Sequence, residues 1–327
     1  MLYLHGVGHF HPQNVIDNAF LESLDIGTDD AWILERVGIR SRRTVLSLDY
    51  IRETRNRDPR AAGEASTHTN AQTGAEAARV ALARAGITPA DVGMVIAGSC
   101  SPQWSIPAEA CLIGAELGIE APCFDVSSAC STFAAQLGFL HRCADIPDYV
   151  LIVQPENNTR TVDYNDRATA VLWGDGSAAA VLSTKHAAHA RVSNVVLHSD
   201  PSGWQKVCIP SAGHFTQEGR AVQGFAIRKG AAALKEVREQ SSRSPEQLFF
   251  VGHQANLLVL EGICRRAEVS EDRHLHNIQD FGNCGGAGAP SVLSQNWDRF
   301  ENGSEVAVSV VGSGLTWGGA LIEFEDV

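Results

Sequence analysis

Three side chains in this sequence have the types needed for acyl-thioester chemistry, and the first is a cysteine. Cys130 ends the segment FDVSSAC and directly precedes STFAAQLGFLHRCA, whose amphipathic pattern predicts a helix. A thiol at the start of a helix faces unpaired backbone N–H groups and the positive end of the helix dipole, and both favour the thiolate. Cys130 is therefore a candidate nucleophile, with a buried core thiol as the plainer interpretation.

The other two candidates are hydrogen-bond donors that follow predicted strands in the second half of the chain. His253 lies in VGHQAN, where a strand ends, and Asn283 lies in the loop FGNCGGAGAP, which opens a helix. Ligands of α/β proteins bind at such strand ends. A cysteine with a histidine and an amide is the set that acyl-thioester chemistry requires, because it joins a nucleophile to groups that stabilise an oxyanion.

The glycine-rich loops raise a nucleotide-binding oxidoreductase as an alternative. Neither FGNCGGAGAP nor GSGLTWGG fits the dinucleotide pattern G-x-G-x-x-G, and the phosphate-loop pattern G-x-x-x-x-G-K-[ST] is absent from the sequence. The glycines are better explained by backbone that approaches a substrate closely.

Alternating strands and helices are predicted around these candidates. Apolar runs predict four buried strands in the first half, at residues 91–99, 122–129, 148–157 and 177–183. Alanine-rich helical patterns cover residues 73–87 and 107–119, and Gly86 and Gly118 are their predicted C-caps. This alternation indicates an α/β architecture.

The second half repeats the order of the first. Residues 247–269, 274–295 and 305–324 read as strand–loop–helix, strand–glycine loop–helix and a pair of strands. We therefore predict a duplicated α/β unit with halves at 1–184 and 185–327. Residues 200–220 are predicted to be an inserted loop, and the charged stretch 49–66 an irregular surface excursion.

Composition excludes several classes of function. The 327 residues carry a net charge of −12, with 44% hydrophobic and 20% charged residues, so neither disorder nor nucleic-acid binding is expected. No basic start and no apolar run of ~18 residues is present, which predicts a cytoplasmic protein without a membrane span. The eight cysteines lack metal-ligand spacing and are interpreted as free thiols, with no metal expected.

Six ordered motifs resemble those of the ketoacyl-ACP synthase III family. They are DDAWILERVGIRSRR, FDVSSACSTF, DRATAVLWGDGSAAAVL, HQANLLVLEGI, GNCGGAGAP and GLTWGGALIEF. The resemblance covers nearly the whole chain. It implies a thiolase-like fold, in which two mixed sheets form α-β-α-β-α layers.

The resemblance also implies a mechanism. Cys130 would accept an acyl group from acyl-CoA, with the backbone N–H groups of Cys130 and Gly314 as the oxyanion hole. His253 and Asn283 would stabilise the enolate formed when a malonyl thioester loses CO₂. The β-ketoacyl product would form without a bound cofactor, and an acyl carrier protein and a homodimer are the implied partners.

Four further positions are implied in substrate binding. Trp32 and Arg167 would sandwich the adenine of CoA, Arg36 would reach its phosphates, and Asn256 would orient a water or the pantetheine chain. Arg36, Arg167 and Arg42 could equally serve a carboxylate on the acyl group, and the sequence leaves this open.

Two departures from the family pattern leave the substrate open. Ile106 stands where many members have a Phe that closes the acyl pocket across the dimer interface. Leu258 replaces a basic residue that helps those members to grip the carrier phosphate. The alternatives are therefore acyl transfer to an oxygen or nitrogen acceptor, an unusual starter such as a dicarboxylyl group for a biotin precursor, or a non-catalytic partner subunit.

Overall fold

The computed structural model describes residues 1–241, 243–244 and 247–326. The strands of the first half are β1 (Leu2–Phe10), β2 (Asn14–Asp17), β3 (Ser41–Thr44), β4 (Met94–Ala97), β5 (Cys123–Asp125), β6 (Val150–Glu156) and β7 (Gly176–Ser183). Its helices are α1 (Asn18–Ser23), α2 (Asp30–Val37), α3 (Leu48–Thr54), α4 (Pro59–Ala65), α5 (Asn70–Ala85), α6 (Glu109–Leu117), α7 (Thr132–Arg142) and α8 (Arg167–Ala170).

The second half supplies a matching series. Its strands are β8 (Ala190–Ser199), β9 (Val207–Cys208), β10 (Thr216–Gln217), β11 (Phe249–Gly252), β12 (His274–Leu275), β13 (Glu305–Gly312) and β14 (Thr316–Phe324). Its helices are α9 (Gly219–Arg238), α10 (Leu257–Ala267), α11 (Ile278–Phe281) and α12 (Gly288–Gln295).

The two halves have the same sheet topology, which confirms the predicted duplication. The first half has the spatial order β1-β7-β6-β4-β5 and the second β8-β14-β13-β11-β12. In each half, β4 or its counterpart β11 pairs in parallel with the strand on either side of it, and the remaining pairs are antiparallel. A three-residue pairing of Leu2–Leu4 with Ala190–Val192 joins these two five-stranded mixed sheets into one continuous ten-stranded sheet.

Helices form the three layers around these sheets. Helices α5 and α6 contact strands of the first half, and α9 contacts β13 and β14 of the second. Between the sheets, α7 contacts β6, β8 and β14, while α12 contacts β1, β7 and β11. One buried apolar cluster therefore spans both halves around Leu137 of α7 and Leu293 of α12.

Glycines end α5 and α6 at the C-caps that the sequence predicts. Helix α5 opens with a capping box between Thr69 and Gln72, and the left-handed Gly86 (φ 68°) ends it. Gly118 (φ 67°) ends α6 in the same way. The predicted boundary between residues 184 and 185 falls in the segment between β7 and β8.

The prediction for residues 49–66 is wrong. The segment forms α3 and α4, and Ile51 and Ala62 bury their side chains in the core. Ser47 and Asp58 cap these two short helices, so the charged residues of the stretch occupy helix surface. The loop predicted at residues 200–220 is observed over residues 200–218, where it contains a 3₁₀ turn and the β9–β10 hairpin. Helix α9 begins at Gly219, so it includes the last two residues of the predicted loop.

Among the described residues, no helix combines the length and apolar character needed to cross a membrane.

Candidate active site

Cys130 lies in a tight turn between β5 and α7. Ala129 has φ 47°, in the left-handed region, and the N–H groups of Ser131 and Thr132 close the turn on the carbonyls of Ser128 and Ala129. The thiol is 8% exposed and sits directly before the first turn of α7. The helix dipole is therefore directed at this sulfur.

Neighbouring groups stabilise the Cys130 thiolate. A hydrogen bond from Cys100 is the largest cause that holds the pKa of the Cys130 thiol well below its usual range. The charge of His253 and a hydrogen bond from it act in the same direction, against the effect of burial. The two sulfurs of Cys100 and Cys130 are 3.8 Å apart. The geometry thus brings together the predicted nucleophile, the predicted histidine and a second thiol that sequence analysis did not single out.

His253 is the first residue after β11. Its backbone N–H donates to the carbonyl of Ser309 on the adjacent strand β13, at 2.9 Å. The buried Gln254 secures the following turn, because its Oε1 accepts from the N–H groups of Asn277 and Ile278. The His253 side chain is thereby held at the carboxyl edge of the sheet, which is where parallel strands of α/β proteins present ligands.

Asn283 is fixed on both sides by backbone. Its N–H donates to the carbonyl of Leu172 and its own carbonyl accepts from Gly174. The side-chain Oδ1 accepts from the N–H of Gly285 at 3.0 Å. Because the oxygen of the amide is used within the loop, the NH₂ group is the end available to donate to a substrate.

The glycines beside Asn283 allow their loop to pack closely against the turn that carries Cys130. A Cβ on Gly286 would lie 3.1 Å from the carbonyl oxygen of Ala129 and 3.0 Å from a Glu156 carboxylate oxygen. Gly285 has φ 53°, and its Cβ would also meet Glu156. These glycines therefore serve contacts within the protein, in addition to any approach to substrate that the sequence suggested.

Glu156 joins the loops and was missed by sequence analysis. This fully buried carboxylate ends β6 and accepts from the N–H groups of Cys100 (2.9 Å) and Gly286 (2.8 Å), and from Asn158 (3.0 Å). Burial, together with the charge of Cys130, raises the pKa of Glu156 to about 7, against the lowering by these donors. An acidic residue ending the apolar run VLIVQPE was the available signal.

The turn that carries Gly314 contacts the turn that carries Cys130. A Cβ on Gly312 would lie 2.9 Å from the Ser131 nitrogen, and Thr316 hydrogen-bonds the Ser131 hydroxyl. Gly314 itself has φ 132°, outside the range that side chains readily adopt. Its N–H is thus carried on a segment that is packed against the turn of Cys130.

Two guanidinium groups lie over the ring of Trp32. The Cζ atoms of Arg36 and Arg167 are 5.5 and 5.0 Å from the centroid of its ring. Asn256 caps α10 through Leu258, and its amide donates to the carbonyl of Arg36 at 3.2 Å. These four residues, which were predicted to bind CoA, therefore form one cluster. The cluster lies beside the start of α10, and Asn256 in it is three residues from His253 in the chain.

Arg42 is not available to a substrate. Its side chain is 0% exposed and donates to the carbonyl of Val171 and to Asn18. The possibility that it serves a carboxylate on the acyl group is therefore wrong, because its donors are engaged in holding the core together. Ile106, in contrast, is 84% exposed at the end of the loop that follows β4.

A cavity of about 640 Å³ opens beside the second thiol. Its lining includes Cys100, Gln103, Trp104, Arg60 and Pro210. The inserted loop after β8 supplies one wall, and the loop after β4 supplies another. Within the described residues, no group of three His, Cys, Asp or Glu side chains is arranged to hold a metal ion.

Models of one protein family match both halves of the chain. Residues 124–201 match 3-oxoacyl-[acyl-carrier-protein (ACP)] synthase III, and residues 239–324 match the C-terminal domain of the same enzyme. The first match contains Cys130, and the second contains His253, Asn283 and Gly314.

Full-length relatives agree with the family models. The chain is 31% identical to beta-ketoacyl-[acyl-carrier-protein] synthase III of Oceanobacillus iheyensis, over 98% of this chain and 97% of that protein. The synthase III of Coxiella burnetii is 28% identical, with 98% of each chain covered.

Solved structures of related enzymes share the fold. The 3-oxoacyl-[acyl-carrier-protein] synthase III of Aquifex aeolicus has a TM-score of 0.87 at 26% identity, over 99% of this chain and 100% of that one. The priming beta-ketosynthase of the R1128 polyketide pathway has a TM-score of 0.85 at 26% identity, over 100% of this chain and 97% of that one. The chain therefore belongs to the beta-ketoacyl-ACP synthase III family and has its thiolase-like fold.

Proposed function

We propose that the protein is an acyl-thioester condensing enzyme. It loads an acyl group from acyl-CoA onto Cys130 and then condenses this group with a malonyl thioester carried by an acyl carrier protein. The observation that carries the proposal is the Cys130 thiol, whose pKa is held well below its usual range next to His253 and the Asn283 loop. The reaction class is that of an acyltransferase without a resident cofactor.

Acylation comes first. The Cys130 thiolate attacks the thioester carbonyl, and the N–H groups of Cys130 and Gly314 receive the oxyanion. Collapse of the tetrahedral intermediate breaks the bond between the carbonyl carbon and the CoA sulfur. CoA leaves as its thiolate and the acyl group stays on Cys130.

Condensation follows when the malonyl thioester enters. His253 and the NH₂ group of Asn283 donate to its thioester carbonyl and stabilise the enolate that forms as CO₂ leaves. The enolate carbon attacks the acyl carbonyl on Cys130, and the new C–C bond displaces the thiolate. A β-ketoacyl thioester is released and the nucleophile is regenerated.

The cluster around Trp32 suits the nucleotide end of CoA. Its indole face and the planar groups of Arg36 and Arg167 can stack on adenine, and the same guanidinium groups can meet phosphate. Asn256, which is partly exposed at the start of α10, would contact the pantetheine chain between this cluster and Cys130.

The acyl group would occupy the cavity that Cys100 borders. Its lining mixes apolar Trp104 and Pro210 with polar Gln103 and charged Arg60. Trp104 and Ile106 expose 60% and 84% of their surface on one loop, which favours a homodimer through the nucleophile-bearing half. Light scattering at several protein concentrations tests that assembly.

The first experiment is acyl labelling followed by intact mass. Wild type and Cys130→Ala are each incubated with a panel of acyl-CoAs that includes dicarboxylyl-CoAs. We expect a mass gain of one acyl group in wild type and none in Cys130→Ala. Cys264→Ala, which removes a buried thiol of α10, is the matched control and should label as wild type does.

Addition of a malonyl thioester separates the candidate functions. Loss of the label with a β-ketoacyl product supports condensation. Loss of the label to an alcohol or amine without a malonyl thioester would instead support acyl transfer to oxygen or nitrogen. Absence of label with every donor, whether bound to CoA or to a carrier protein, would refute the proposal and leave the partner-subunit interpretation.

A further inference from the structure

A second thiol borders the nucleophile. Cys100 is the third residue after β4, and its sulfur lies 3.8 Å from the sulfur of Cys130. Both are free thiols, and at this separation one S–H group can donate to the other sulfur. Such a bond becomes charge-assisted when the acceptor is a thiolate, which makes it stronger than a bond between two neutral thiols.

The backbone of Cys100 is anchored so that its thiol cannot easily move away. Its N–H donates to Glu156 at 2.9 Å, and the next N–H, that of Ser101, donates to Ser99 at 3.1 Å. The Ser101 hydroxyl in turn donates to Asn158 at 2.7 Å. Glu156 also holds Gly286 of the Asn283 loop, so one buried carboxylate fixes the second thiol and the amide loop together.

The protons of the two thiols are unequally shared. The hydrogen bond with Cys130, burial and the charges of Cys130 and Glu156 together raise the pKa of Cys100 well above its ordinary value. Cys100 therefore remains a thiol when Cys130 is ionised, and it has a proton to donate.

We infer that Cys100 is a positioning residue of the condensing site, whose S–H group donates to the Cys130 thiolate and keeps that sulfur ionised and oriented for attack. This inference rests on the proposed function, because it assigns Cys130 as the nucleophile. The other groups that face Cys130 are His253 from the loop after β11, Glu156 from the end of β6 and the first turn of α7. Of these, Glu156 opposes ionisation of Cys130, because two negative charges would then lie close together.

The test is the pH dependence of Cys130 alkylation, read by peptide mass after short exposures to iodoacetamide. Cys100→Ala removes the donor, and we expect the midpoint of Cys130 alkylation to rise by about one to two pH units. Cys100→Ser keeps a hydroxyl donor and is expected to restore at least half of the shift. Cys264→Ala is the matched control, because Cys264 is a buried thiol of α10 whose pKa is set by burial and by Glu261.

Two results would overturn the inference. An unchanged midpoint in Cys100→Ala would mean that no hydrogen bond from Cys100 stabilises the thiolate. An equal rise in Cys264→Ala would mean that loosened packing causes the shift. Failure of the proposed function is separate: wild type would then show a low alkylation midpoint at Cys130 and yet take no acyl group from any donor.

Discussion

Replacing Asn283 is expected to separate the two half-reactions. The side-chain oxygen of Asn283 accepts from the N–H of Gly285, whereas its NH₂ group is the end that would donate to the enolate. Asn283→Asp keeps the acceptor for Gly285 and removes the donor. Asn283→Ala removes both, and leaves the Gly285 N–H without its partner.

The size of the effect follows from the role of one donor. Loss of a single donor aimed at a developing oxyanion costs about 2.7–4 kcal/mol, or roughly 10²–10³ in rate. The rate loss of Asn283→Asp should lie at the upper end of this range, because the new carboxylate also directs negative charge at the enolate. Asn283→Ala should show the same loss of condensation. It should in addition lower the free energy of unfolding by ~1–3 kcal/mol, because the buried N–H of Gly285 loses its acceptor.

The assay measures each half-reaction by itself. Acylation of Cys130 is followed by intact mass, and CO₂ release from a malonyl thioester is followed on the acylated enzyme. We expect acylation of Asn283→Ala within about threefold of wild type and decarboxylation reduced ~10²–10³-fold. Equal loss of both half-reactions, or decarboxylation that survives in both variants, would refute the role of the amide as an enolate donor.

Three more predictions concern the surroundings of the site. Gly312→Ala would bring a Cβ to 2.9 Å from the Ser131 nitrogen, so the nucleophile turn must shift; we expect acylation to slow at least ~10-fold, measured by the rate of mass gain. Trp32→Ala should raise KM for acyl-CoA by ~5- to 150-fold through the loss of about 1–3 kcal/mol of stacking, and leave KM for the matching acyl-pantetheine unchanged. The pKa of Glu156 rises from 4.5 to about 7 on folding, so the folded state binds its proton more tightly. The free energy of unfolding should therefore fall by about 3 kcal/mol as pH rises through this window, and Glu156→Gln should flatten that slope in denaturant titrations from pH 5 to 8.

Sequence analysis predicts the strands and helix ends that depend on local residue patterns. Buried strands such as β6 and β7 consist mainly of apolar residues, and helices α5 and α6 end at glycines that adopt left-handed conformations. The repeat of strand and helix order predicts the duplicated topology, because each half must bury the same faces. The family follows from the ordered motifs, which the comparisons confirm.

The features that sequence analysis missed depend on contacts between distant segments. Cys100 contacts Cys130 because the loop after β4 meets the loop after β5. Glu156 binds Cys100 and Gly286 because β6 ends next to both of their loops. Arg42 could serve a substrate carboxylate as far as the sequence shows, yet its guanidinium donates to the carbonyl of Val171, 129 residues further along the chain. No pattern within a window of a few residues can reveal such partners, whereas a chain of motifs in order can indicate the fold that creates them.

The duplicated fold explains why the proposed nucleophile and the proposed enolate donors occupy different halves. Cys130 follows β5 and precedes the inner helix α7, and Asn283 lies in the equivalent connection, between β12 and the inner helix α12. Likewise Cys100 follows β4 and His253 follows its counterpart β11. The loops after these four strands thus supply four side chains from equivalent positions of the two halves. In the proposed mechanism, one half contributes the two thiols used in acyl transfer, and the other contributes the two donors that the carbanion step needs. Since the enolate must form within bonding distance of the acyl group that we propose on Cys130, this mechanism requires both halves at once, and neither half alone contains a complete set.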